Sequence, residues 1–288
     1  MGRQFDSAIT RLRPFFQPLL RRDPQGFSWL PKLLRLSWAN PDLADELATD
    51  CGPLLNWCAS RRARSDRSLR LHGIGSVELE GCFEHRLPPP QTFLRWLIDH
   101  PERMTWPDES EVGDLHRTER QELFGHHGPQ RQAAAQAIAR GELARCGSGG
   151  SNGKWWAFEG FTRVDCLLET EHFILLIEGK RTEPFSPSTA WFPGRNQVLR
   201  NLDVAREVAG QRNKNYAVMV MAEDHIDPVT IDGVDRSLPH LSQRDCSFLL
   251  DHYLGCITWS QALARLWFPH TVEEAARWIL EGQGNQCK

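Results

Sequence analysis

Residues 164–180 read VDCLLETEHFILLIEGK. Two apolar runs, Cys166–Leu168 and Phe173–Ile177, flank a short polar patch, which is the pattern of a hairpin: strands over 164–170 and 172–178 with a turn between them. The second run is five consecutive large apolar residues, as expected of a strand covered on both faces. It ends abruptly in Glu178-Gly179-Lys180. Residues two apart in a strand share a face, so this carboxylate and this ammonium are expected to point the same way. Only five Lys stand among the 34 basic residues (Lys32, Lys154, Lys180, Lys214 and Lys288), and Lys180 alone follows an acidic residue by two positions. With an even-length loop centred on Thr170-Glu171, Asp165 falls opposite Leu176 and diagonal to Glu178, on the same face. An odd-length loop would turn Asp165 away.

Two carboxylates and a lysine at a sheet edge form a minimal phosphodiester hydrolase. Mg²⁺ takes oxygen ligands and is commonly held by one or two carboxylates plus substrate phosphate. It polarises the scissile phosphate and lowers the pKa of a bound water. A neighbouring lysine orients that water or stabilises developing negative charge.

Working outward, Gln130–Arg145 is Ala-rich and predicts a helix, weakest at Gly141. Gly147–Gly153 reads as a flexible loop, and Lys154–Glu159 (KWWAFE) as a strand. Beyond the hairpin, Pro184, Pro187 and Pro193 mark an irregular crossing. Asn196–Ala209 predicts a helix stopped by Gly210, and Tyr216–Ala222 a further strand. Helix, three strands, helix, strand over 130–222, with Asp165 and then Glu178-x-Lys180, resembles the PD-(D/E)XK nuclease superfamily. The resemblance implies an α/β, restriction-endonuclease-like αβββαβ core with a mixed sheet. It implies Asp165 and Glu178 as ligands of Mg²⁺ (or Mn²⁺), Lys180 as the catalytic lysine, and Glu142 as a third metal-binding acid from the first helix. Gln197 matches a second-helix glutamine of exonuclease-like members, while the family's Tyr one turn later is Asn201 here. The family's Pro before the Asp is Val164. The implied activity is metal-dependent hydrolysis of nucleic acid, DNA before RNA. The other class compatible with such a fold is a non-catalytic module that binds nucleic acid or protein.

The remaining chain was divided into a mostly helical region at 1–128, the core at 129–225 and a helical extension at 226–288. Pro88-Pro89-Pro90 precedes an amphipathic helix over 92–100, and Ser260–Trp267 and Val272–Leu280 are further helices. The net charge of −3 averages two unlike regions. Residues 1–70 carry 12 Lys/Arg against 7 Asp/Glu, and residues 71–130 carry 5 against 11. The densest basic run, Arg61, Arg62, Arg64, Arg67 and Arg70, is either a solvated face or a phosphate contact. Arg181, Arg195 and Arg200 are candidate phosphate contacts nearer the triplet. Glu159 is a further candidate ligand, and Trp155 and Trp156 are core or stacking residues. His126 and His127 have no acidic partner at metal-ligand spacing. Eight scattered Cys without a C-x-x-C point to reduced thiols rather than a disulfide frame or zinc site. No apolar run approaches the roughly 20 residues of a bilayer span, and no secretory signal is evident, so a cytoplasmic protein without membrane contact is expected.

Overall fold

In the computed structural model the described residues are 11–59, 85–108, 116–148, 154–181, 183–226 and 228–267. The Arg61–Arg70 run and the expected helix over 272–280 lie outside them. In chain order come α1 (Arg13–Arg22), α2 (Leu30–Leu34), α3 (Pro41–Thr49), β1 (Leu54–Ala59), β2 (His85–Leu87), α4 (Gln91–Asp99), α5 (Arg117–Leu123), α6 (Pro129–Cys146), β3 (Thr162–Val164), β4 (Cys166–Thr170), β5 (Phe173–Gly179), α7 (Gln197–Arg212), β6 (Asn215–Ala222), α8 (Ile231–Ser237), α9 (Gln243–Leu250), β7 (Tyr253–Thr258) and α10 (Trp259–Leu266). The protein is mixed α/β. Its main sheet has five strands in the order β1-β4-β5-β6-β7. β4 pairs antiparallel with both β1 and β5, whereas β6 runs parallel to β5 and β7 parallel to β6.

Every residue of β5 is buried, because the alternating side chains feed two separate cores. Phe173, Leu175 and Ile177 meet α1–α3 and α10 on one side. Ile174 and Leu176 meet Val198, Leu199 and Leu202 of α7 on the other. Burying a side chain of this size contributes about 1.5–3 kcal/mol, so the centre of the sheet is the strongest part of the scaffold. The even-numbered face is the one that matters for function, because it carries Glu178 toward α7.

Several expectations are corrected. Lys154–Glu159 is not a strand. The segment turns, with the Ala157 amide donating to the Lys154 carbonyl at 3.2 Å. Trp155, Trp156 and Phe158 all enter one cluster with Phe93, Leu97, Leu123, Ala139 and Leu143. Three aromatics in four residues bound for one core do not alternate as a strand requires. The strand expected over 164–170 breaks at Asp165. β3 pairs with β2 in a separate two-stranded sheet, and β4 joins the main one. The hairpin turn is Glu171-His172, one residue later than expected, since Thr170 is a ladder residue paired with Leu54. The Thr170 hydroxyl oxygen accepts from the amides of His172 (3.2 Å) and Phe173 (3.1 Å), which pins the turn.

The main sheet is also not confined to 129–225. Its two edges come from residues 54–59 and 253–258, so the mostly helical N-terminal region and the helical C-terminal extension each supply it with a strand. Helix α6 packs with α4 and α5 around the aromatic cluster, where its Ala135, Ala139 and Leu143 are buried. Among the described residues no helix is long and apolar enough to cross a membrane.

Candidate active site

The β4–β5 ladder ends at Cys166↔Ile177, and its register, carried one step past that end, puts Asp165 opposite Glu178. The shift of the turn by one residue keeps its length even, so Asp165 stays on the face of Glu178 and moves from the diagonal position to the facing one. Asp165 sits at the bend between β3 and β4. Its Oδ2 accepts from the Gly179 amide at 3.1 Å, and its carboxyl shares a hydrogen bond with Glu178. Burial pushes the Asp165 carboxyl well above the usual carboxylate range. The Glu178 charge adds to this and the Lys180 ammonium opposes it.

Glu178 is buried to 1% exposure and held from three sides. Lys180 Nζ lies 2.9 Å from its Oε1, Gln197 Nε2 donates to the same oxygen at 2.5 Å, and Asn201 Nδ2 donates to Oε2 at 3.1 Å. Gln197 and Asn201 reach one carboxylate because positions i and i+4 lie on one helix face. α7 starts where it does because the Asn196 side chain caps it, accepting from the Val198 and Leu199 amides at 2.9 and 3.2 Å. Gln197 Oε1 in turn accepts from Lys180 Nζ at 3.0 Å and from the Ser186 amide at 3.2 Å. Lys180 is fixed through its backbone. Its amide donates to Met221 O at 2.8 Å, and its carbonyl accepts from Trp259 Nε1 at 3.0 Å. Its ammonium sits 5.1 Å from the centre of the Phe185 ring.

The donor set suits a hard cation. Both carboxyls offer oxygen, and Asn201 Oδ1, beside Glu178, is buried with no hydrogen-bond partner. An orphaned buried acceptor beside two carboxyls is a place where positive charge is favoured. Glu142 does not join them. It accepts from Trp156 Nε1 at 2.6 Å, so its work is to anchor an aromatic of the third core. Among the described residues no group of three or more His, Cys, Asp or Glu side chains is arranged to hold a metal.

Glu159 and Arg195 are likewise drawn elsewhere. Arg195 is completely buried. Its Nε and Nη2 donate to Glu159 at 2.6 and 3.2 Å, Nη2 also to Asp203 Oδ2 at 2.9 Å, and Nη1 to Ser237 O at 3.0 Å. The Phe93 ring lies 3.8 Å below the guanidinium. Arg195 therefore cannot reach a bound phosphate. His126 packs against the Trp106 ring at 5.6 Å, and Trp155 and Trp156 are core rather than a stacking surface. Sequence reasoning did not identify Asp203 or Trp259 as supports, and it noted Asn201 only as a departure from a family pattern. The i, i+4 spacing of Gln197 and Asn201 was the available signal. No protein-family model, curated protein or solved structure matches the chain.

Proposed function

We propose that the protein is a divalent-metal-dependent nuclease, hydrolysing phosphodiester bonds in nucleic acid, DNA before RNA, on a restriction-endonuclease-like core. One observation carries this reading: the half-buried carboxyl of Asp165 and the buried one of Glu178 lie within hydrogen-bonding reach, with Lys180 on the same face. Like charges forced together in a buried site destabilise a fold and are retained where function uses them. The strand order supports the same reading. β1, β4 and β5 form an antiparallel meander, and β6 returns parallel to β5 through α7. An αβββαβ order is compatible with this arrangement if α3 and β1, rather than the expected 130–145 and 154–159, are read as its first helix and strand.

Asp165 and Glu178 would hold Mg²⁺ or Mn²⁺, which when bound supplies charge neutralisation at the scissile phosphate and a more acidic water. The residues of the chain divide the remaining work. Gln197 and Asn201 fix the rotamer of Glu178, so that its oxygens are already aimed before substrate arrives. Lys180 places an ammonium beside the carboxyl pair, where it neutralises negative charge developing on the phosphate. Its backbone bonds to β6 and α10 hold that charge in place.

The test is a cleavage panel with linear duplex, circular duplex and single-stranded DNA, and RNA, each with Mg²⁺ or EDTA. The wild type is expected to cut DNA only with the metal. Asp165→Ala and Lys180→Ala should remove cleavage while leaving the circular dichroism spectrum unchanged. Equal behaviour of all three proteins across the panel overturns the reading.

A further inference from the structure

Three arginines are candidates for contact with a bound phosphate, and they differ sharply in what they already hold. Arg195 is saturated by Glu159, Asp203 and Ser237. Arg181 donates its backbone amide to Glu183 and lies past the end of β5. Arg200 is different. It stands on α7 between Gln197 and Asn201, the two residues that grip Glu178. Its Nε is sealed from solvent and has no acceptor. Among the described residues its guanidinium makes no hydrogen bond and has no carboxylate within 4.0 Å.

The strongest local influence, burial, opposes a cation there. It outweighs the carboxylates of Glu159 and Glu178, which favour the charge, while Arg195 adds to the opposition. The first turns of a helix carry the positive end of the macrodipole, which also disfavours a cation. A half-buried arginine whose Nε is sealed without an acceptor is completed by an anion that reaches its guanidinium. The planar fork of a guanidinium matches two oxygens of a phosphate.

We propose that Arg200 is the phosphate-anchoring residue of this site, binding a backbone phosphate of a nucleic-acid strand beside the phosphate that faces Asp165 and Glu178. The proposal rests on the nuclease reading for the identity of its ligand. It assigns substrate binding to a residue distinct from the carboxyl pair and its supports.

The experiment measures binding rather than cleavage. Fluorescein-labelled 20-nucleotide single-stranded DNA, duplex DNA and RNA are titrated with wild type, Arg200→Met and Arg200→Lys in Ca²⁺, over a range of salt. Arg200→Met is expected to bind roughly ten- to a hundredfold more weakly. Its plot of log affinity against log salt should be shallower by about one. Arg200→Lys should recover the salt slope but only part of the affinity, because an ammonium is a point charge and not a fork. The Tm of Arg200→Met should equal or exceed that of wild type, since the methionine removes a half-buried cation whose Nε has no acceptor. The RNA and DNA arms identify which strand is preferred.

Affinity and slope within twofold of wild type for Arg200→Met overturn the proposal, as does a wild type that binds none of the probes. A Tm lowered by several degrees overturns it too, because Arg200 would then be structural. A wild type that binds but never cleaves sinks the nuclease reading and leaves the Arg200 assignment standing. A wild type that cleaves, with Arg200→Met unchanged in binding, does the reverse.

Discussion

Two buried charge clusters touch the same helix, α7, and are built on opposite principles. Around Arg195 the signs alternate. Both oxygens of Glu159 and both of Asp203 meet a guanidinium, supplied by Arg195 and Arg206, and His240 Nε2 lies 3.0 Å from Asp203 Oδ2. Around Glu178 two carboxyls face each other with a single lysine between them and the helix. The first cluster is closed. It joins the 154–161 turn, Phe93, α7 and the end of α8, and the oxygens of both its carboxylates are all taken, while His240 Nδ1 has no hydrogen-bond partner among the described residues. The second is open, with two carboxyls against one lysine at the end of the central strand and an unfilled amide oxygen on Asn201. A closed network reads as architecture, and an open one as a site awaiting a cation.

Breaking the closed cluster should give the largest effect on stability. Arg195→Met strands Glu159 and Asp203 without their main partner and is expected to cost about 3–5 kcal/mol in urea unfolding. A loss under about 1 kcal/mol would show that the network is not the brace described here.

Acid should unpick the same cluster. Burial pushes the Asp203 carboxyl up, but His240, Arg195 and Arg206 outweigh it and hold the group well below the usual carboxylate range. A depressed folded-state pKa gives stability that is present above the unfolded value of 3.8 and lost as pH falls through the folded one. The stability difference between wild type and Asp203→Asn should therefore be constant near neutrality and shrink in strong acid. A difference that does not narrow below pH 4 contradicts the assignment.

The open cluster should respond in the opposite sense, and by less. Asp165→Asn in EDTA removes a carboxyl whose charge the fold disfavours, so it is expected to raise stability by about 1 kcal/mol while abolishing cleavage. Destabilisation on that substitution would mean that Asp165 is an ordinary structural carboxylate.

The two clusters were unequally legible in the sequence. The open one lies along a single hairpin and the next helix, where local periodicity governs. An apolar run ending in Glu178-x-Lys180, an even-length turn, and an i, i+4 pair on α7 are short-range patterns. Even the misplaced turn preserved the face of Asp165, because side-chain direction depends on parity alone. The closed cluster had no such trace. Glu159 and Asp203 stand 36 and 8 residues from Arg195 and are brought together by tertiary packing. The same holds for the sheet edges. β1 pairs with β4 across more than a hundred residues of chain, and its LLNWCA segment has no clean alternation. β7 lies between two short helices. The aromatic density of KWWAFE suggested a strand because β propensity records packing as much as backbone preference. Here that packing is a turn folded into the third core.

The most direct test of the contrast is a Mn²⁺ titration followed by calorimetry on wild type, Asp165→Asn and Glu142→Gln. The open pair should bind the ion in wild type and in Glu142→Gln, and binding should vanish in Asp165→Asn. No binding to wild type, or binding that survives Asp165→Asn, would contradict the account.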